Sequence, residues 1–197
     1  MKTFGLACLA VIAVLLGGCV VQTIQPLFAE KEYVSVPDLT GTWVQKDDGK
    51  QIGAWVFSTN EQRYRLAHTD EKGRKATFDV IAGKIGTNTF LDFTLNGIEP
   101  PDSLNDFAAV SLIGAHVFAK VSKKDGALIL AGMNYEWLEK HLAENPKAVT
   151  HILQEKHPIL TATTDELQKF VAKYANDAVA FRNEISLGRK PGNDAQK

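Results

Sequence analysis

The chain has 197 residues, a formal net charge of −1 and 23% charged side chains, with acidic and basic residues interspersed. That length suits one domain with room for appended helices. The balanced charge, with no basic stripe, argues against a nucleic-acid partner, and no polybasic segment is present to grip anionic lipid. The two cysteines, Cys8 and Cys19, both lie near the start. The rest of the chain therefore has no thiol for a disulfide, a nucleophile or a cysteine-based metal site.

Met1-Lys2 opens the chain with a positive charge, and Phe4 through Leu16 is apolar apart from glycine. The run matches a secretory h-region and is too short to cross a hydrocarbon core of about 30 Å. Gly17 and Gly18, small enough to lie extended in a peptidase cleft, lead into Cys19. Leu16-Gly17-Gly18-Cys19 resembles the lipobox of bacterial lipoproteins. The resemblance implies a signal peptide over residues 1–18, cleavage before Cys19, and a covalent diacylglyceryl group with further acylation at that residue. No other cofactor is expected. Several acyl chains hold firmly where one holds marginally, because each buried methylene contributes about 0.8 kcal/mol. Val20, in place of the aspartate that retains such proteins in the inner membrane, implies the periplasmic face of the outer membrane.

Residues 19–37 read as the lipidated cysteine and a tether, with Pro26 and Pro37 and no sustained period. A single β-rich domain with C-terminal helices is expected over 38–187. Strands are predicted at Leu39–Val44, Ile52–Phe57, Gln62–His68, Ala76–Ile85 and Asn88–Leu95, then at His116–Val121 and Ala127–Ala131. Asp48-Gly49 and Asp125-Gly126 are hairpin-turn signals. Gly97–Asp106, with Pro100-Pro101 and several acids, reads as a surface loop. Asn134 caps a predicted helix from Tyr135 to about Ala143, which Asn145-Pro146 ends. Ala148–Gln154 fits helix or strand. Thr163 and Glu166 form a capping box before the apolar stripe Leu167, Phe170, Val171 and Tyr174. A further helical turn or two is expected around Val179 and Phe181, and residues 188–197 read as a disordered tail. The fold class is thus α+β: an antiparallel meander curled or closed into a barrel-like sheet, with helices packed on it.

Gly41-Thr42-Trp43 resembles the Gly-X-Trp signature on the first strand of lipocalins, and Ala127–Leu138 resembles their later strands. The resemblance implies a tryptophan packed across the closed end of a barrel; some bacterial lipocalins are also outer-membrane lipoproteins. The chain departs from the family in lacking its Thr-Asp-Tyr type motif, in showing no clear late-strand arginine, and in the extent of its C-terminal helices.

If the sheet encloses a cavity, its candidate lining is Trp55, Tyr64, Phe78 and Phe90, with Arg65 or Asp92 to orient a ligand. The alternative is that these aromatics fill the core and the charges face water. No pair among His68, His116, His141, His151 and His157 has the spacing that places two ligands on one helical turn, so no metal is expected. No nucleophile elbow or phosphate loop is present. The acids Glu99, Asp102 and Asp106 fall in a polar loop, without the burial that tunes a carboxylate for acid–base work. The sequence therefore points to a non-catalytic, membrane-anchored envelope lipoprotein that binds another envelope component. The alternative is a lipocalin-like carrier of a small apolar ligand, with an enzyme of unrecognised type as a third reading.

Overall fold

The computed structural model describes residues 20–99, 114–154 and 157–190. In chain order its elements are β1 (Gln22–Thr23), β2 (Gly41–Asp47), β3 (Lys50–Asn60), β4 (Arg63–Asp70), β5 (Lys75–Ile85), β6 (Asn88–Glu99), β7 (His116–Lys124) and β8 (Ala127–Gly132). Helix α1 (Tyr135–Glu144), strands β9 (His151–Gln154) and β10 (His157–Leu160), helix α2 (Thr164–Tyr174) and strand β11 (Asn183–Arg189) follow.

Strands β2 to β8 pair each with the next in antiparallel order, and β11 returns between β8 and β2. The result is a closed eight-stranded antiparallel barrel. Closure removes the unpaired strand edges that an open meander would expose. Two hairpins turn where the sequence places an Asp-Gly step. Asp48 and Gly49 have φ of 45° and 77°, and Asp125 and Gly126 have 51° and 79°. Positive φ at both central residues is the turn whose twist matches the flanking strands.

Alternation along each strand divides the apolar residues into two clusters. The inner one holds Trp43, Phe57, Leu66, Val80, Leu91, Leu128 and Leu187, among others. Eight strands enclose a space that side chains of this size can fill. The outer cluster joins wall residues facing the other way, such as Ile81, Phe90 and Phe118, with Leu138 of α1 and Leu167, Phe170 and Val171 of α2. Within α1 Trp137 stacks on His141 at 4.9 Å, and across to α2 the Tyr174 hydroxyl lies 2.9 Å from His141 Nε2.

Both helix starts follow their caps. Asn134 Oδ1 accepts from the amides of Glu136 and Trp137, and Thr163 Oγ1 accepts from the Glu166 amide at 3.3 Å. The expected reciprocal capping box is only half used. The Glu166 carboxylate instead accepts from the Thr150 amide at 2.7 Å and its hydroxyl at 2.8 Å, tying α2 to the segment before β9.

Three expectations are corrected. The stretch expected as a tether is built into the domain: Val21, Thr23, Leu27 and Phe28 are all buried. Strand β1 pairs with β10 on one side and with the start of β7 on the other. The strap is fixed because its scattered apolar residues each find the outer wall, which no local period announces. Gly188 and Arg189, expected to start a disordered tail, end β11 and belong to the barrel. Gly97–Glu99, expected as loop, continues β6 opposite β5. The ambiguous stretch after Pro146 resolves into β9, which pairs with β10. The proposed signal peptide, Cys19, the loop at Pro100–Asp106 and tail residues 191–197 lie outside the described residues.

Candidate functional site

The six residues proposed to line a cavity do not share a face. Tyr64 and Phe78 belong to the inner cluster, with Trp55 half-buried against it. Phe90 faces outward into the second cluster, where its ring meets Phe181 edge-on at 5.7 Å. Arg65 lies on the outer face of β4, exposed, 3.4 Å from Asp79. Asp92 also points outward, yet only 1% of it is exposed. The difference follows from strand parity, since successive side chains point to opposite faces.

A row of directly opposed residues crosses the inner face: Arg189 faces Trp43, Trp43 faces Trp55, and Trp55 faces His68. At one end of the row the chain is locked. Trp43 Nε1 donates to the Leu39 carbonyl at 2.8 Å. The Arg189 guanidinium sits 5.2 Å from the centre of the Trp43 ring and donates to the carbonyls of Asp38 and Thr40 at 3.1 and 3.2 Å. A guanidinium over an indole face is favourable, and its rigid fork can hold two carbonyls at once. The sequence reading missed Arg189. Its signal was the alternation Ile185, Leu187, Arg189, too short to stand out.

At the other end of the row the side chains are less committed. Trp55 meets the His68 ring edge-on at 4.8 Å. Its indole Nε1 is buried and has no hydrogen-bond partner among the described residues. A buried donor without an acceptor carries a desolvation cost that a bound acceptor would relieve. Burial holds the His68 imidazole below its ordinary pKa, opposed by the Asp70 carboxylate. A neutral ring is then the form present near pH 7. Phe78, like Trp55, is half-buried and packs against the inner cluster. Together they make an apolar, aromatic wall with one unsatisfied donor and one neutral imidazole.

Outside the barrel, Asp92 acts as a clamp. Its Oδ2 accepts from the Leu27 amide at 2.7 Å, and its Oδ1 lies 2.8 Å from His116 Nδ1. A carboxylate only accepts, so the His116 proton sits on Nδ1; Thr94 Oγ1, 2.9 Å away, can share it. Both oxygens are therefore spent on holding the strap and the start of β7. The sequence singled out Asp92 but not these two partners, which only the register of β6 with β7 brings together.

Among the described residues, no group of three or more His, Cys, Asp or Glu is placed to hold a metal ion, and no helix is long and apolar enough to cross a membrane. The barrel fixes the class as a closed antiparallel β-barrel with helices. No protein-family model, curated protein or solved structure matches the chain significantly.

Proposed function

We propose that this chain is a non-catalytic bacterial envelope lipoprotein, anchored through acylated Cys19 at the periplasmic face of the outer membrane, that works by binding. The anchor rests on Leu16-Gly17-Gly18-Cys19 and the apolar run before it. Two occupants are open to such a protein: another envelope component, or a small apolar ligand carried in a lipocalin-like barrel. The observation that favours the small ligand is the partnerless indole N–H of Trp55, beside His68. An apolar molecule with one acceptor, such as a fatty acid carboxyl or an ester carbonyl, suits that wall. The lock of Trp43 under Arg189 adds support, since the Gly-X-Trp resemblance implies a closed barrel end at that tryptophan. In this reading the helices pack on the outer wall and leave the interior to the ligand.

The test is a titration of delipidated protein with fatty acids of graded length and their methyl esters, followed by tryptophan fluorescence. A saturable change is expected in the native protein. A Trp55→Phe variant, which keeps the apolar wall and loses the donor, should bind about two- to tenfold more weakly, the equivalent of one hydrogen bond. If no apolar ligand produces a saturable change, the carrier reading fails and contact with an envelope component is left. Mass spectrometry of the mature N-terminus tests the anchor separately.

A further inference from the structure

The strap leaves the proposed anchor no slack. Cys19 is one peptide unit, about 3.8 Å between α-carbons, from Val20. Val20 is bridged to Asn134, Val21 is buried, and Gln22 and Thr23 form β1. The Ile24 amide then donates to the Leu160 carbonyl at 2.9 Å. Acyl chains on Cys19 would hold Val20 at the lipid headgroups, and the face of the domain around it with them.

That face carries exposed apolar side chains: Val20 is 47% exposed, Val179 54% and Ile152 54%. Hydrogen bonding and strand pairing gather them. Asn134, the bridge partner of Val20, donates its side-chain amide to the Val179 carbonyl at 3.2 Å and its backbone amide to Ala180 at 2.7 Å. Across the small sheet Gln22 faces Ile159, and Ile159 faces Ile152. With strands about 4.8 Å apart, Ile152 lies roughly 10 Å from β1. Strand β9, which carries Ile152 and Leu153, is the outermost of its sheet.

We infer that Val20, Val179 and Ile152 form a membrane-contact face, so that the domain sits flush on the phospholipid surface with the edge strand β9 at the headgroup–acyl boundary. The inference rests on the proposed anchor at Cys19, which supplies the lipid surface as occupant. Apolar side chains at that depth add to the hold of an acyl anchor.

The test uses the full-length protein purified from membranes and reconstituted in phosphatidylethanolamine–phosphatidylglycerol vesicles. With Cys19 acylated and Cys8 removed with the signal, an Ile152→Cys variant has one free thiol for an environment-sensitive nitrobenzoxadiazole label. Lys124→Cys is the control, exposed and seven residues along β7 from Val117, about 23 Å from the β1 pairing. The label at position 152 should shift its emission to the blue and be quenched several-fold by nitroxide-bearing lipid, while the label at 124 should not. An aqueous spectrum at 152 on vesicle-bound, acylated protein would overturn the inference and leave the anchor intact. A blue shift without lipid quenching would mean a protein covers the face and would also overturn it. Unmodified Cys19 in the mass spectrum would remove the anchor, and the inference with it.

Discussion

Replacing Asp92 should release the strap. In the native domain its two oxygens serve the Leu27 amide at 2.7 Å and His116 Nδ1 at 2.8 Å, and the carboxylate is 1% exposed. Asp92→Ala removes both acceptors at once. His116 keeps Thr94 Oγ1 at 2.9 Å, but the structure gives the Leu27 amide no second acceptor among the described residues. A hydrogen bond to a charged group contributes about 1.5–3 kcal/mol, and a buried donor left alone costs about 1–3 kcal/mol. The expected loss for Asp92→Ala is therefore about 2.5–6 kcal/mol, a large share of a typical 5–15 kcal/mol total. Asp92→Asn keeps one carbonyl oxygen for Leu27 and gives up only the charged partner of His116, so about 1–2 kcal/mol is expected. Urea unfolding of the three proteins gives the magnitudes, and hydrogen exchange at the Leu27 amide localises them. A loss below about 1 kcal/mol for Asp92→Ala, or unchanged exchange at Leu27, would refute the clamp.

Three further outcomes follow from the packing. Gly83→Ala should destabilise by about 1–3 kcal/mol in thermal melts, because an added Cβ would fall inside the Phe28 ring that lies over that backbone. Arg189→Leu should cost about 1–2 kcal/mol and alter the near-ultraviolet signal of Trp43, since it removes the stacked guanidinium and both of its carbonyl bonds. Burial lowers the His68 pKa in the folded state, so on acidification the unfolded chain takes up that proton first. Its contribution to stability is present above the ordinary value of about 6.5 and is lost as the pH falls toward the lower folded value. Melting temperatures of the native protein and His68→Gln, compared between pH 8 and 5, should show a steeper acid decline in the native protein.

The hairpins, strand faces and helix starts were legible because each is written in a few adjacent residues. Asp48-Gly49 and Asp125-Gly126 dictate their turns; Phe78, Val80 and Ala82 announce an inner face by alternation; Asn134 and Thr163 announce helix starts. The strap, β11 and the partners of Asp92 were not legible, because each takes its meaning from residues distant in sequence. Leu27 and Phe28 look like tether until the outer wall covers them. Ile185, Leu187 and Arg189 make a strand only because β8 and β2 each leave an edge to fill. Asp92 and Phe90 differ from Leu91 and Phe93 only in parity, so which pair faces the interior waited on barrel closure. By itself the sequence determined local conformation and pattern, which depend on short-range sterics and spacing. Only the tertiary structure decided closure, what the strap covers and which buried polar groups meet, because those are set by register between strands far apart in the chain.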